Sequence, residues 1–458
     1  MDAFRDNVVA GDADHARTFL GGPVDGYYAF MLIATALVLM MTVPALALFY
    51  GGMSRSKSVL NMMMMSYVAA AIVGILYVAV GWSMGWSGEG TLSADPFALL
   101  WLDGVPTGDY IYVMFQMTFA IITAALISGA VADRMKFSAW VVFVPLWSLF
   151  VYFPLAHMVF SCTEKSLICG RIGAQDYAGG TAVHINAGIA ALVLVVLLGK
   201  RVGWPKEQMR PHNLTLTMLG AGLLWFGWYG FNVGSIVFAG EEGEAFTERF
   251  ISETGRTFGN TTLATMAAIL GWLIIERILH KKATSLGAAS GIVAGLVAIT
   301  PAAGAVNLSG AVAIGFIAGA ACAWAVSLKY KLGYDDSLDV VGVHLVGGVI
   351  GTVLIGVFST SEGAGGIDGL LYGGGFGYLG DQTLGVLVAV VYSGVLTAVI
   401  ALAIKYTIGL RLDEEDEVNG IDLAEHGESA YDLHSGSSGS GSSILAGSTS
   451  TKNEGVKA

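Results

Sequence analysis

Apolar residues run through this chain in blocks, each about as long as a helix needs to cross ~30 Å of hydrocarbon, roughly 20 residues. The blocks fall at Tyr27–Tyr50, Leu60–Trp86, Tyr110–Val131, Phe137–Phe160, Ala178–Leu198 and Asn213–Ala239. They continue at Phe258–Ile275, Leu286–Val306, Ala311–Leu328, Leu338–Phe358 and Thr383–Ile404. Between Leu286–Val306 and Ala311–Leu328 only Asn307–Gly310 intervenes. The pattern predicts an all-α polytopic membrane protein of eleven transmembrane helices.

Polar positions orient the chain. Lysine and arginine collect in alternate connections: Arg55 and Lys57; Arg134 and Lys136; Lys200, Arg201, Lys206 and Arg210; Arg277, Lys281 and Lys282; Lys329 and Lys331; Lys405 and Arg411. The opposite connections hold few and are acidic at Glu241, Glu242 and Glu244. Basic loops stay in the cytoplasm, so eleven spans predict an N-terminus outside and a C-terminus inside. Three regions follow: an extracellular segment 1–26, a membrane domain 27–410, and a cytoplasmic tail 411–458. The tail opens on the acidic run Asp413–Glu417 and ends Ser/Gly-rich, and that distal part is expected to be disordered. A charge run of this kind reads equally as a solvated segment.

Composition agrees. Of 458 residues 55% are hydrophobic and 13% charged, about half the charge of soluble domains. The 63 glycines suit helices packed backbone to backbone in lipid. Three cysteines lack metal-site spacing and are too few for a disulfide scaffold. Cys162 and Cys169 share one predicted external loop, where a disulfide is permitted but not required. The acidic N-terminus has no basic start before an apolar core, so no cleaved signal peptide is expected. Nothing in the sequence points to nucleic acid.

Two spans carry an ionisable side chain at depth, which is costly in lipid and marks a candidate functional site. Asp176 precedes His184 by eight residues, Asp336 precedes His344 by eight, and Gly188 and Gly348 lie four residues beyond. These are spans five and ten, so they cross in opposite directions. The plan is a 5+5 inverted repeat plus one helix. If each helix begins at its aspartate, each histidine lies about 12 Å inside it, near the midplane, and the two imidazoles are expected to meet. Both aspartates read as structural carboxylates that cap a helix N-terminus. A lone histidine in a span, as His157 near the end of span four, reads instead as a helix–helix hydrogen-bonding residue. Two histidines make an incomplete zinc site, so no metal is expected. No nucleophile motif, HExxH or nucleotide loop supports an enzyme.

The stretch DYAGGTAVHINAGIAALVLVVLLGKR at Asp176–Arg201 resembles the signature of the ammonium transporter (Amt/Mep/Rh) family, and DDSLDVVGVHLVGG resembles its second histidine segment. FYGGMSRSKSVLNM, FQMTFAIITAALISGAVADR, LLWFGWYGFNVGS and TIGLRLDEEDEVNGIDLAEHGESAY extend the likeness along most of the chain. The tail places it nearer the Amt branch. The resemblance implies a homotrimer in the cell membrane, each subunit with its own pore. His184 and His344 would line that pore. Phe119 and Phe231 would form a stacked outer gate. Ser235, Phe160, Trp228 and Phe115 would form the recruitment site for ammonium or methylammonium. The family commonly has tryptophan where this chain has Phe160, a weaker face for a cation. The tail would dock a cytoplasmic PII-type (GlnK-like) protein. A receptor that binds ammonium and signals through a partner is the rival reading.

Overall fold

A computed structural model describes residues 24–207, 209–236 and 243–431. Residues 1–23 and the distal tail 432–458 lie outside them, and with them most of the predicted extracellular segment and the expected disorder. Among the described residues, eleven helices are long and apolar enough to span. They are α1 Gly26–Met53, α2 Val59–Trp86, α3 Thr107–Val131, α4 Phe137–Phe160, α5 Gly180–Leu198 and α6 Leu214–Val233. The remainder are α7 Thr247–His280, α8 Ser285–Ala302, α9 Leu308–Leu332, α10 Val341–Phe358 and α11 Gly375–Thr407. A short helix α12, Glu414–Asn419, belongs to the tail.

All eleven predicted blocks lie on these helices, with shifted ends. Helix α7 runs 34 residues because its polar first turns, from Glu248 to Arg256, continue an amphipathic helix that mean hydropathy discounts. Helix α11 runs 33. Helix α6 ends at Val233, and the predicted extension to Ala239 falls partly on undescribed residues.

Packing repeats with an offset of five. Helix α2 packs on α3 and α4, and α7 packs on α8 and α9; α3 packs on α5 as α8 packs on α10. The halves join where α1 meets α6 and α5 meets α10, while α11 lies against α4, α5 and α10. The α5–α10 contact is made possible by the two matched glycines. A Cβ on Gly188 would sit 2.5 Å from the Leu345 nitrogen, and one on Gly348 would lie 3.2 Å from the His184 Cβ.

One face of the bundle holds the starts of α5 and α7 and a Cys162–Cys169 disulfide; we call it the vestibule face. The other holds the tail. There Arg201 grips Asp335 through Nε and Nη2 (3.0 and 2.9 Å) and Asp133 through Nη1 (3.1 Å), and Arg55 also pairs with Asp133. Burial pushes the Asp133 carboxyl up, but Arg55 and Arg201 beside it hold it below its ordinary range. Arg201→Ala therefore takes the bidentate partner from buried Asp335 and leaves Asp133 with Arg55 alone. Breaking a buried pair this way costs about 3–5 kcal/mol. A marked fall in melting temperature in detergent is expected, partly restored by Arg201→Lys, which keeps the charge but not the fork.

Two carboxylates dock the described part of the tail, while Asp413, Glu414 and Glu415 of its charge run are exposed, as the solvated reading expects. Glu417 is 1% exposed; its carboxylate accepts from the Val202 N–H (2.7 Å) and pairs with Arg411 (2.6 Å). Asp422 accepts from the Leu60 and Asn61 N–H groups (3.1 and 2.8 Å), two of the orphan donors at the start of α2.

Candidate functional site

The aspartates set the geometry. Asp176 Oδ1 accepts from the Gly179 and Gly180 N–H groups (both 2.7 Å), and Oδ2 from Thr181 (2.7 Å) and Ala182 (3.1 Å). One carboxylate thus meets all four donors that a helix start leaves over. Asp336 does the same more sparingly, with Oδ1 to Val340 (3.1 Å) and Oδ2 to Val341 (2.7 Å). In both repeats the residue three beyond the aspartate is left-handed: Gly179 at φ 110°, Asp339 at φ 63°. Glycine takes that conformation freely; for aspartate it costs about 1–2 kcal/mol, offset here by an ion pair from Asp339 to Lys329 on α9 (2.6 Å).

This turn corrects the predicted depth. The helices begin at Gly180 and Val341, not at the aspartates, and each opens with a wide π turn that contains its histidine. His184 and His344 therefore stand only four and three residues from their helix starts, on the order of 5 Å of rise. The preceding chain enters the bundle in non-helical form, which is tolerated at depth where protein encloses it.

The imidazoles meet. His184 Nδ1 and His344 Nδ1 are 3.2 Å apart, and the rings lie 5.3 Å centre to centre at 26°. One nitrogen donates and the other accepts, so the pair shares one proton on this side. His184 Nε2 is buried without a hydrogen-bond partner among the described residues. Both histidines line a cavity of about 10 Å³, walled otherwise by Met41, Leu46, Phe49, Ile122, Leu126, Leu224, Trp228, Phe231 and Val293. A second void of about 10 Å³ continues past His344 toward Asp339 and Ser290. Each has room for about one water-sized molecule. Helix α1 makes space for the first by breaking at Val43–Pro44, where Val43 leaves helical dihedrals.

Toward the vestibule face the line is closed. Phe119 and Phe231 stack 4.0 Å apart at 13°. Phe115 packs on Phe119 at 5.0 Å, and its ring would lie 2.8 Å from a Cβ on Gly234. Beside that glycine, Ser235 Oγ donates to the Phe231 carbonyl (2.8 Å). Phe160 ends α4, half-buried against the Leu155, Met158 and Ala182 cluster.

Trp228 needs relocation. It precedes Ser235 by seven residues, two helical turns or about 10 Å deeper. Its ring stacks on His184 at 5.4 Å and 24°, on the histidine side of Phe231. It lines the cavity with the two histidines, about two helical turns from Ser235, where the recruitment site is expected. Its Nε1 donates to Thr300 Oγ1 (2.8 Å), which donates to Asn232 Oδ1 (3.1 Å), whose amide donates to Thr261 Oγ1 (3.0 Å). Sequence reasoning missed this buried chain, because polar residues scattered over three helices carry no local spacing signal. His157 has no part in the line: its two nitrogens bond the Gly85 and Gly90 carbonyls (2.8 and 2.9 Å).

Known proteins share this arrangement of chain. Residues 29–431 match the model of a family described as the Ammonium Transporter Family. A Mycobacterium bovis protein named ammonium transporter is 52% identical over 449 residues, covering 90% of this chain and 92% of that relative. An Aquifex aeolicus ammonium transporter is 47% identical over 418 residues, covering 89% and 94%. The crystal structure of Saccharomyces cerevisiae Mep2 superposes with a TM-score of 0.78 at 31% identity, covering 90% and 92%.

Proposed function

The chain belongs to the ammonium transporter family, and on that premise we propose a path by which it moves its substrate. Ammonium settles at the vestibule face against Phe115, Phe119 and Phe160, held by cation–π attraction and by Ser235. A charge cannot follow into the apolar line, where an isolated ammonium costs on the order of tens of kcal/mol. It leaves its proton behind and passes the Phe119–Phe231 stack as ammonia. His184 and His344 then offer ammonia one donor and one acceptor in place of water. Potassium has no proton to shed and is refused. Proton transfer is coupled to the passage.

The observation that carries this reading is the contact between His184 and His344 at the wall of a void of about 10 Å³, with His184 Nε2 buried and partnerless among the described residues. A pore lined for packing alone would leave no polar atom unmet there. In this reading residues 27–410 form the membrane domain, the vestibule face is extracellular, and the tail lies inside. The protein is a homotrimer of the cell membrane, and its tail face receives a PII-type protein. Structural duty falls to Asp176 and Asp336.

Uptake of labelled methylammonium into proteoliposomes, with current recorded in parallel, tests the proposal. Saturable uptake with inward charge is expected; binding without flux would instead make the protein a receptor. The recruitment wall has its own test. Phe160→Trp offers a better cation face worth about 0.5–1 kcal/mol, so half-saturation should fall about two- to fivefold. No change would remove Phe160 from the wall.

A further inference from the structure

On the vestibule face, away from the histidine line, α7 carries Arg249, Ser252, Glu253 and Arg256. Spaced i, i+3, i+4 and i+7, they form one stripe of the helix. With Gly304 and the turn Glu362–Gly365 the stripe encloses a cavity of about 340 Å³, the size of small-molecule sites. Its charges do not all cancel in place. Arg249 Nε meets Glu253 Oε2 at 3.1 Å, and Glu253 Oε1 accepts from the Tyr177 hydroxyl at 2.9 Å. Arg256 differs: its Nη1 is buried and has no hydrogen-bond partner among the described residues. Glu362 is exposed, and among the described residues no cation comes within 4.0 Å of it.

The cavity thus presents one unmatched guanidinium and one unmatched carboxylate, too far apart to neutralise each other. Leaving a buried donor unmet costs about 1–3 kcal/mol, which an incoming oxyanion would recover. A plain anion would face Glu362 as well; a molecule with an ammonium at its other end would not. We propose that this cavity binds a zwitterion of the phosphoethanolamine class, phosphate on Arg256 and primary ammonium on Glu362, free or as a lipid headgroup. The occupant also touches Glu253, the carboxylate that holds Tyr177 next to Asp176.

The test uses the full-length protein stripped of lipid and titrated, by melting shift and native mass spectrometry, with phosphoethanolamine, dihexanoyl phosphatidylethanolamine and dihexanoyl phosphatidylglycerol. Both ethanolamine probes, or the lipid alone, should bind. The first result assigns recognition to the headgroup, the second to the lipid. Arg256→Gln should weaken binding about tenfold or more, with Arg256→Lys keeping part of it. Glu362→Gln should erase the preference for ethanolamine over glycerol. Normal elution and methylammonium uptake of these variants exclude misfolding. Unchanged affinity in Arg256→Gln, no binding of either ethanolamine probe, or phosphatidylglycerol bound as tightly as phosphatidylethanolamine would overturn the proposal. None of these outcomes bears on the transport path itself.

Discussion

Replacing His184 and His344 together by alanine is expected to lower methylammonium uptake in proteoliposomes at least about a hundredfold, and to do so without disturbing assembly. The pair meets through Nδ1 at 3.2 Å, and the wall around it is almost wholly apolar. On the proposed path, ammonia has to give up its water before entering a void that holds about one molecule. With both rings gone, two hydrogen-bonding opportunities vanish from the driest part of the path, each worth about 1–3 kcal/mol when left unmet. At 1.4 kcal/mol per tenfold, a loss of about 3 kcal/mol already gives that factor. Elution as in the parent protein separates a dead pore from a misfolded chain. Uptake and selectivity unaltered in the double variant would sink the pore assignment.

Asp176→Ala should be the most damaging single change to stability near the path. One carboxylate satisfies four backbone donors, at 2.7, 2.7, 2.7 and 3.1 Å. Bonds to a charged acceptor contribute about 1.5–3 kcal/mol each, though a shared, partly solvated carboxylate falls well short of the sum. A net loss of roughly 3 kcal/mol or more is expected, with the start of α5 unwound. Asp176→Asn keeps one acceptor oxygen and should fall between. The readouts are the melting temperature and the uptake rate. Alanine or asparagine variants that melt like the parent would show that the turn holds itself.

Spans were legible because lipid imposes a length and an apolar character that hydropathy reads directly, and α7 was under-read at both ends, over its polar first turns and over Glu276 to His280. The histidine pair was legible because the chain states it twice, Asp176 to His184 and Asp336 to His344. What the repeat did not disclose was where the helices start. Gly179 could have hinted at a left-handed turn; Asp339 in the same conformation could not, since its strain is offset by Lys329 on another helix. The depth of Trp228 was available from simple rise per residue, because seven positions separate it from Ser235. The polar chain through Thr300, Asn232 and Thr261 had no such signal. Nor did the buried Arg201 cluster, whose members are far apart in sequence.

The docking of Asp422 on the start of α2 has a consequence in time. The Leu60 N–H and the carboxylate that accepts from it are 362 residues apart. At roughly 5–20 residues per second, synthesis leaves about 20–70 s between the making of one and the other. During that interval α2 sits in the membrane with its leading N–H groups met only by water. A helix is finished by a segment made 362 residues after it, so a nascent chain cut short anywhere before Asp422 carries an open α2, distinguishable at its first turn from a chain that has reached Asp422.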